Sequence, residues 1–178
     1  MNREYECRMI YREAFCDPDT DFENLLFETC YKYCKTFDVS GEVASMLFAL
    51  PCSIDFSGEK EEAIYLYAAA TAEKHRKKGY MARLIRILQS ETDDIIILRP
   101  ATDELIGFYE KFGFKSIETS NKNKIKPFVT PKGGYRDLVF KIYGNIENTA
   151  ESSKDFTVMY YSKNKKEINK IYFVNSME

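Results

Sequence analysis

Apolar positions recur along this chain in two periods, and the switches between them mark its elements. Residues 4–15 mix charge with apolar positions at loose helical spacing and read as a helix, broken by Asp17-Pro18-Asp19-Thr20. A second helix is expected over about 21–35, with Phe22, Leu25, Leu26, Thr29, Cys30 and Tyr33 along one stripe. Thr20, followed three positions later by Glu23, has the form of a capping box that starts it. Within 38–51, Ser40-Gly41 is hairpin punctuation and 43–50 is the apolar run of a strand. Ser57-Gly58-Glu59-Lys60 marks a turn, 64–71 a strand, and 73–79 a basic loop. Met81, Leu84, Ile85 and Leu88 then fall at i, i+3, i+4 and i+7, one face of a helix.

Ile95-Ile96-Ile97-Leu98 is wholly apolar and suits a central strand buried on both faces. Residues 102–111 are helical again, with Leu105, Phe108, Tyr109 and Phe112 inward and Gly113 as the terminal cap. Residues 114–118 and 137–143 read as two strands across a long Lys/Asn/Pro-rich connection. Residues 144–155 are polar and linker-like. Beyond them, 156–161 and 168–174 are apolar runs that Ser-Lys-Asn-Lys-Lys-Glu would join as a hairpin.

Strand, basic loop, helix and strand over 64–98 make one βαβ unit, whose crossover sets the two strands parallel. Ligands of open α/β sheets sit at the carboxyl ends of the strands. Here that place is Lys74-His75-Arg76-Lys77-Lys78-Gly79, leading straight into a helix. The first helical turn offers unpaired N–H groups and the positive dipole end. Arg76, Lys77 and Lys78 add formal charge, and Gly79 admits close backbone approach, so the segment suits a phosphate or pyrophosphate. A set of solvated loop cations would show the same composition. Both the Walker loop and the Rossmann fingerprint need glycines that are missing here.

Composition narrows the function classes. The 178 residues fit one domain with a real core, or one domain and a short appendage. With a net charge of −2, no global field draws in nucleic acid or an anionic membrane. The chain has 13 Tyr, 13 Phe and no Trp, enough for a large core and some pocket lining. Its Cys residues number 5, an odd set read as free thiols in a reducing compartment. Neither a signal sequence nor a membrane-length apolar run is visible, and the expected location is cytoplasmic.

Ala69-Ala70-Thr71 followed by Arg76-Lys77-Lys78-Gly79-Tyr80-Met81 resembles the acetyl-CoA signature of the GNAT superfamily. That signature is Arg or Gln, two residues, Gly, one residue, then Gly or Ala. Here Met81 stands in its last place and Ala82 follows. Leu105-Ile106-Gly107-Phe108-Tyr109-Glu110-Lys111-Phe112-Gly113-Phe114 resembles the family's helix after its fifth strand, and Arg99-Pro100-Ala101 before it fits too. Tyr11-Arg12-Glu13-Ala14-Phe15 and Ser45-Met46-Leu47-Phe48-Ala49-Leu50-Pro51 are similar to a bacterial branch related to the enhanced-intracellular-survival (Eis) acetyltransferases. The resemblance covers about residues 5–143. Longer Eis-type members carry further domains, which this chain is too short to hold complete.

The resemblance implies a GNAT fold of the α/β class: a mixed central sheet with splayed parallel strands, flanked by helices. It implies a GNAT acyl-CoA-binding domain over 1–143, with 144–178 as linker and C-terminal β-hairpin appendage. By analogy, acetyl-CoA is the co-substrate and no metal takes part. The pantetheine arm would pair with the backbone of Ala69, Ala70 and Thr71, and the pyrophosphate would lie on Arg76, Lys77, Lys78, Gly79, Tyr80, Met81 and Ala82. The amine attacks the thioester directly, its carbonyl polarised by backbone N–H groups near Ala69 and Ala70; such donors are worth about 2.7–4 kcal/mol. Tyr109 matches the family tyrosine that protonates the leaving thiolate, although its inward stripe also suits a plain core aromatic.

A general base is needed, because an alkylamine with pKa near 10.4 is only about one part in a thousand neutral near pH 7. The sequence names none. Glu61 and Glu62 precede the cofactor strand and could act through water, or be strand-end charges. His75, the chain's 1 His, lies beside the phosphate loop, a pantetheine arm from the thioester, and is read as non-catalytic. The resemblance implies an acceptor amine on a small molecule or a peptide. Phe22, Phe27, Tyr31 and Tyr33 come from the region that lines the acceptor pocket in relatives.

A non-catalytic acyl-CoA-binding regulatory module is the alternative reading. In a third, the C-terminal hairpin covers a sheet edge or pairs with a second chain as a homo-oligomer. Asp17-x-Asp19-x-Asp21 imitates a calcium loop but has Phe22 where the sharp turn needs Gly. Cys30 and Cys34, one helical turn apart, lack the second pair that zinc requires.

Overall fold

A computed structural model describes residues 2–16, 19–56, 59–118, 129–144 and 157–164. In chain order its elements are α1 (Arg3–Phe15), α2 (Thr20–Cys30), β1 (Cys34–Val39), β2 (Glu42–Phe56), β3 (Glu59–Thr71), α3 (Tyr80–Glu91) and β4 (Ile95–Leu98). They continue as α4 (Ile106–Glu110), β5 (Lys115–Glu118), β6 (Val129–Pro131), α5 (Gly133–Tyr143) and β7 (Thr157–Tyr161). Among the described residues the strands form one mixed sheet of order β1-β2-β3-β4-β7-β5, with β6 paired to β2. Among the described pairings, β3 and β4 run parallel, as the βαβ reading requires, and the others are antiparallel. Two compact units share the chain, Met1–Ala49 with Leu66–Thr92, and Leu50–Tyr65 with Asp93–Glu178.

In the first unit the two N-terminal helices are joined by charge. Glu23 is 3% exposed, yet it holds Arg12 Nε at 2.7 Å and Arg8 NH1 at 3.2 Å. Burial alone would raise the Glu23 pKa; the hydrogen bonds from Arg12 and Arg8, together with their charges, outweigh it and hold the carboxyl below its ordinary value. The Arg8 guanidinium also lies 4.4 Å from the Phe27 ring centre. Thr20 and Glu23 therefore form no capping box. Asp19 is the cap, accepting from the Asp21 and Phe22 N–H groups, because the Glu23 carboxylate is committed to the arginines. The buried stripe of α2 is Glu23, Leu26, Phe27 and Cys30.

The second helix does not extend to residue 35. It ends at Cys30, passes through a 3₁₀ turn at Tyr31–Tyr33, and enters β1, an edge strand paired with β2. Ser40 and Gly41 join β1 to β2 with φ of 52° and 84°. Positive φ at both central residues is the mirror-image turn that matches strand twist. On α3, Leu84, Ile85 and Leu88 are each at most 2% exposed, while Met81 is half-buried. The helix lies against β1, where Tyr80 stacks on Phe37 at 5.5 Å and Glu91 pairs with Lys35 at 2.8 Å.

In the second unit every residue of β4 is buried. β7 sits between β4 and β5, antiparallel to both, with Ile97 opposite Tyr160 and Ser116 opposite Met159. The sequence suggested a hairpin set apart by a linker; its first strand takes an interior place in the sheet. The run over 168–174 and the linker beyond Gly144 lie outside the described residues.

Residues 137–143 form no strand but belong to α5. Tyr135, Leu138, Val139 and Ile142 follow helical spacing, and Leu138 and Val139 are fully buried. Burial is worth roughly 1.5–3 kcal/mol for each such side chain. That outweighs β-propensity, whose whole scale spans about 1 kcal/mol. Gly144, at φ 71°, closes the helix.

Candidate functional site

β3 reaches past its parallel partner. Ala63, Ile64 and Tyr65 are opposite Ile95, Ile96 and Ile97, and no pairing with β4 follows, although β3 continues to Thr71. Within that continuation Ala68 has φ 49°, a left-handed conformation rare for a residue with a Cβ. Strict alternation fails just before it, since Tyr65 and Leu66 are both buried. A broken alternation followed by a left-handed residue has the character of a bulge, which re-aims backbone groups. Such strain costs roughly 1–3 kcal/mol and concentrates at functional sites.

Past the bulge, the predicted residues follow in one continuous piece of the first unit. Ala70 is buried; Ala69 and Thr71 are half-buried. The Thr71 and Ser45 hydroxyls lie 2.8 Å apart, and the Thr71 carbonyl accepts Arg76 Nε at 3.2 Å. This bond ties the start of the loop to the end of the strand and leaves most of the guanidinium in water. Glu73–His75 is a 3₁₀ turn rather than open loop. Lys74 pairs with Glu42, and Lys78 Nζ donates to the Lys74 carbonyl at 2.8 Å.

Lys77 and Gly79 both have positive φ, 62° and 77°. Turns of this kind form backbone nests for anions. A Cβ placed on Gly79 would meet no atom within 4 Å, so the approach to the helix start is open. No side chain caps α3, and its first turn carries no acid. Arg83 N–H makes the first intrahelical bond, to Gly79 O at 3.1 Å. Electrostatically the place is cationic: an uncapped dipole end beside Arg76, Lys77 and Lys78. Tyr80, the first helical residue, is fixed between Phe37 and the His75 ring, 5.8 Å away. Met81 and Ala82 complete the turn and are half-buried.

His75 is thus a packing residue for Tyr80. Among the described residues its buried ring nitrogens have no hydrogen-bond partner, and the Glu42 carboxylate lies 4.0 Å away. Glu62 pairs with Lys132.

Tyr109 stands in the second unit, on α4. It is 7% exposed and edge-packed against Phe108 at 5.2 Å and Phe114 at 5.7 Å. Burial pushes its phenol up to about 12. The element expected over 102–111 is split into a 3₁₀ turn at Asp103–Leu105 and the short α4. Gly113, at φ 82°, follows the helix, and a Cβ there would touch the Tyr161 ring at 3.6 Å.

Elsewhere in the first unit, a groove of about 790 Å³ lies along α1, lined by Tyr5, Met9, Ile10 and Val43, with Glu13 and Glu73 among its acids. It touches none of the predicted site residues. Asp19, in the calcium-like motif, is used as a helix cap. Among the described residues no helix is long and apolar enough to cross a membrane.

A mixed sheet with one parallel strand pair, β3 and β4, and a strand that feeds a basic loop into an uncapped helix, define the α/β class of this protein. The chain belongs to the family described as acetyltransferase (GNAT) domain, whose model matches residues 4–117. Among solved structures, a GCN5-related N-acetyltransferase from Anabaena variabilis is similar at 25% identity and TM-score 0.55; the match covers 64% of this chain and 31% of that one. The ribosomal-protein-S18-alanine N-acetyltransferase from Escherichia coli is similar at 15% identity and TM-score 0.56, over 96% of this chain and 93% of that one. The Bacillus subtilis N-acetyltransferase YlbP, solved with coenzyme A, is similar at 11% identity and TM-score 0.53, over 90% and 91%. No curated protein matches the sequence.

Proposed function

We propose that this chain is an acetyl-CoA-dependent N-acetyltransferase that moves the acetyl group to a primary amine by direct attack within a ternary complex. The observation that carries the reading is the end of β3 with its loop: a left-handed Ala68, then positive φ at Lys77 and Gly79, then an uncapped α3. Arg76, Lys77 and Lys78, with the N–H groups through Ala82, would take the pyrophosphate of acetyl-CoA, and the backbone of Ala69, Ala70 and Thr71 its pantetheine arm. The amine nitrogen attacks the thioester carbon, and backbone N–H groups near Ala69 and Ala70 bear the developing oxyanion. As the C–S bond breaks, Tyr109 gives its proton to the thiolate. A phenol near 12 is fully protonated at neutral pH, so the donor is always loaded. The acceptor is a small-molecule or peptide amine.

Titration with coenzyme A tests the loop. At one hundred times its dissociation constant, the ligand should stabilise the fold by about 2.7 kcal/mol, a rise of about 5–10 °C in melting temperature. NAD and ATP should do clearly less. Arg76→Glu, on an exposed side chain, should weaken coenzyme A by about tenfold or more in calorimetry while the unliganded melting curve stays in place. Unchanged affinity in that variant would show that the phosphates bind elsewhere. A wild-type curve unmoved by millimolar coenzyme A would overturn the reading.

A further inference from the structure

Five cysteines are present, and two of them meet although they are far apart in sequence. Cys7, on the buried face of α1, and Cys34, the first residue of β1, have sulfurs 3.9 Å apart across a separation of 27 positions. Cys7 is fully buried; Cys34 is half-buried and faces its surroundings in part. Of the remaining three, Cys30 and Cys52 are fully buried, and Cys16 is exposed at the end of α1. Burial drives the Cys52 thiol up to about 12, which leaves it inert.

We propose that Cys7 and Cys34 form a modification site, closing to a disulfide when the protein meets a hydroperoxide. The sulfurs are already in contact and need to approach from 3.9 Å to about 2.0 Å. Cys34, the less buried of the two, is the sulfur that meets the oxidant first. It attacks one peroxide oxygen, the O–O bond breaks, and the departing hydroxide takes up the thiol proton as water. The sulfenic acid on Cys34 is then attacked by Cys7. The S–O bond breaks, the S–S bond forms, and a second water leaves. Two thiols and one hydrogen peroxide give one disulfide and two waters.

The Cys34 thiol donates to the Cys7 sulfur, and this bond is the main cause that lowers the Cys7 thiol and raises that of Cys34. The closed loop would carry the whole of α2 and fasten α1 to the edge strand, restricting the unfolded chain.

The test uses the full chain with Cys16→Ser, so that the exposed thiol cannot react, and needs no acetyl-CoA. After hydrogen peroxide treatment, titration under denaturing conditions should find two fewer thiols, and the intact mass should fall by two hydrogens. Trypsin should release Glu4-Tyr5-Glu6-Cys7-Arg8 joined to Tyr33-Cys34-Lys35, a species that reductant splits. The melting temperature should rise by about 5–10 °C, and reductant should reverse the rise. Cys34→Ala, at a half-buried position, should fold and show neither the joined peptide nor the rise. Oxidation that leaves both thiols free, stops at sulfenic or sulfinic acid, or links either cysteine to a second chain would overturn the proposal.

Discussion

Replacing Tyr109 with Phe is expected to lower acetyl transfer about a hundredfold, with coenzyme A affinity and melting temperature nearly unchanged. The substitution removes one hydroxyl and keeps the ring that packs against Phe108 and Phe114. No hydrogen bond to that hydroxyl is found among the described residues, so its loss frees no partner to be left unsatisfied. The loss should fall on kcat, since a proton is needed by the thiolate only as the thioester breaks. The phenol also has a pH signature. Burial raises its folded-state value from 10.0 to about 12, so its contribution to stability is complete below about pH 10 and is lost as pH rises through about 12. That alkaline loss should be weaker in the Phe variant. If Tyr109 is only a core aromatic, transfer will remain near wild type, and the acid must be another group or water.

Glu23→Ala should lower stability by about 2–3 kcal/mol and the melting temperature by about 5–10 °C. Removing this buried carboxylate takes a charged partner from two guanidiniums at once. The cost falls short of a fully buried pair because the Arg12 side chain is 52% exposed and can take up water, while that of Arg8, at 20%, keeps its bonds to Glu4 and Asn24. The sign of the pH effect follows from the lowered Glu23 pKa. Its stabilisation is present above the unfolded value, near 4.5, and fades as pH falls through the lower folded one. Acid unfolding of the Ala variant should therefore be less steep. A melting curve unmoved by Glu23→Ala would mean that α1 and α2 hold together without this clamp.

Legibility in the sequence followed how strongly burial imprints a pattern. The helix of Leu84, Ile85 and Leu88, and the run Ile95-Ile96-Ile97-Leu98, bury whole faces, and both stand out in the sequence. β1 escaped because it is an edge strand with no fully buried residue, so nothing in Cys34–Val39 alternates strongly enough to end the preceding helix. β6 spans only Val129–Pro131, too short for its alternating burial to stand out in the sequence. In α5, the β-branched Val139 and Ile142 imitated a strand, and only the spacing from Tyr135 distinguishes the helix.

At the candidate site, the charges and Gly79 were visible, as was the strand before them. The left-handed Ala68 was not, because it lies in an Ala-Ala-Ala run whose composition says nothing of backbone twist. Lys77 at positive φ is hidden for the same reason. Contacts between residues distant in sequence, Glu23 with two arginines and Cys7 with Cys34, have no local signature at all.

The central claim is tested most directly by following release of free coenzyme A thiol from acetyl-CoA against a panel of amines, with the acetylated amine identified by mass. The panel should include an aminoglycoside, a polyamine, a small amino metabolite and a lysine-bearing peptide. Acetyl transfer requires thiol release that depends on both protein and amine, saturates in each substrate, and falls about a hundredfold in Tyr109→Phe. Coenzyme A binding without amine-dependent release from any member of the panel would contradict it, and would leave the chain an acyl-CoA-binding module.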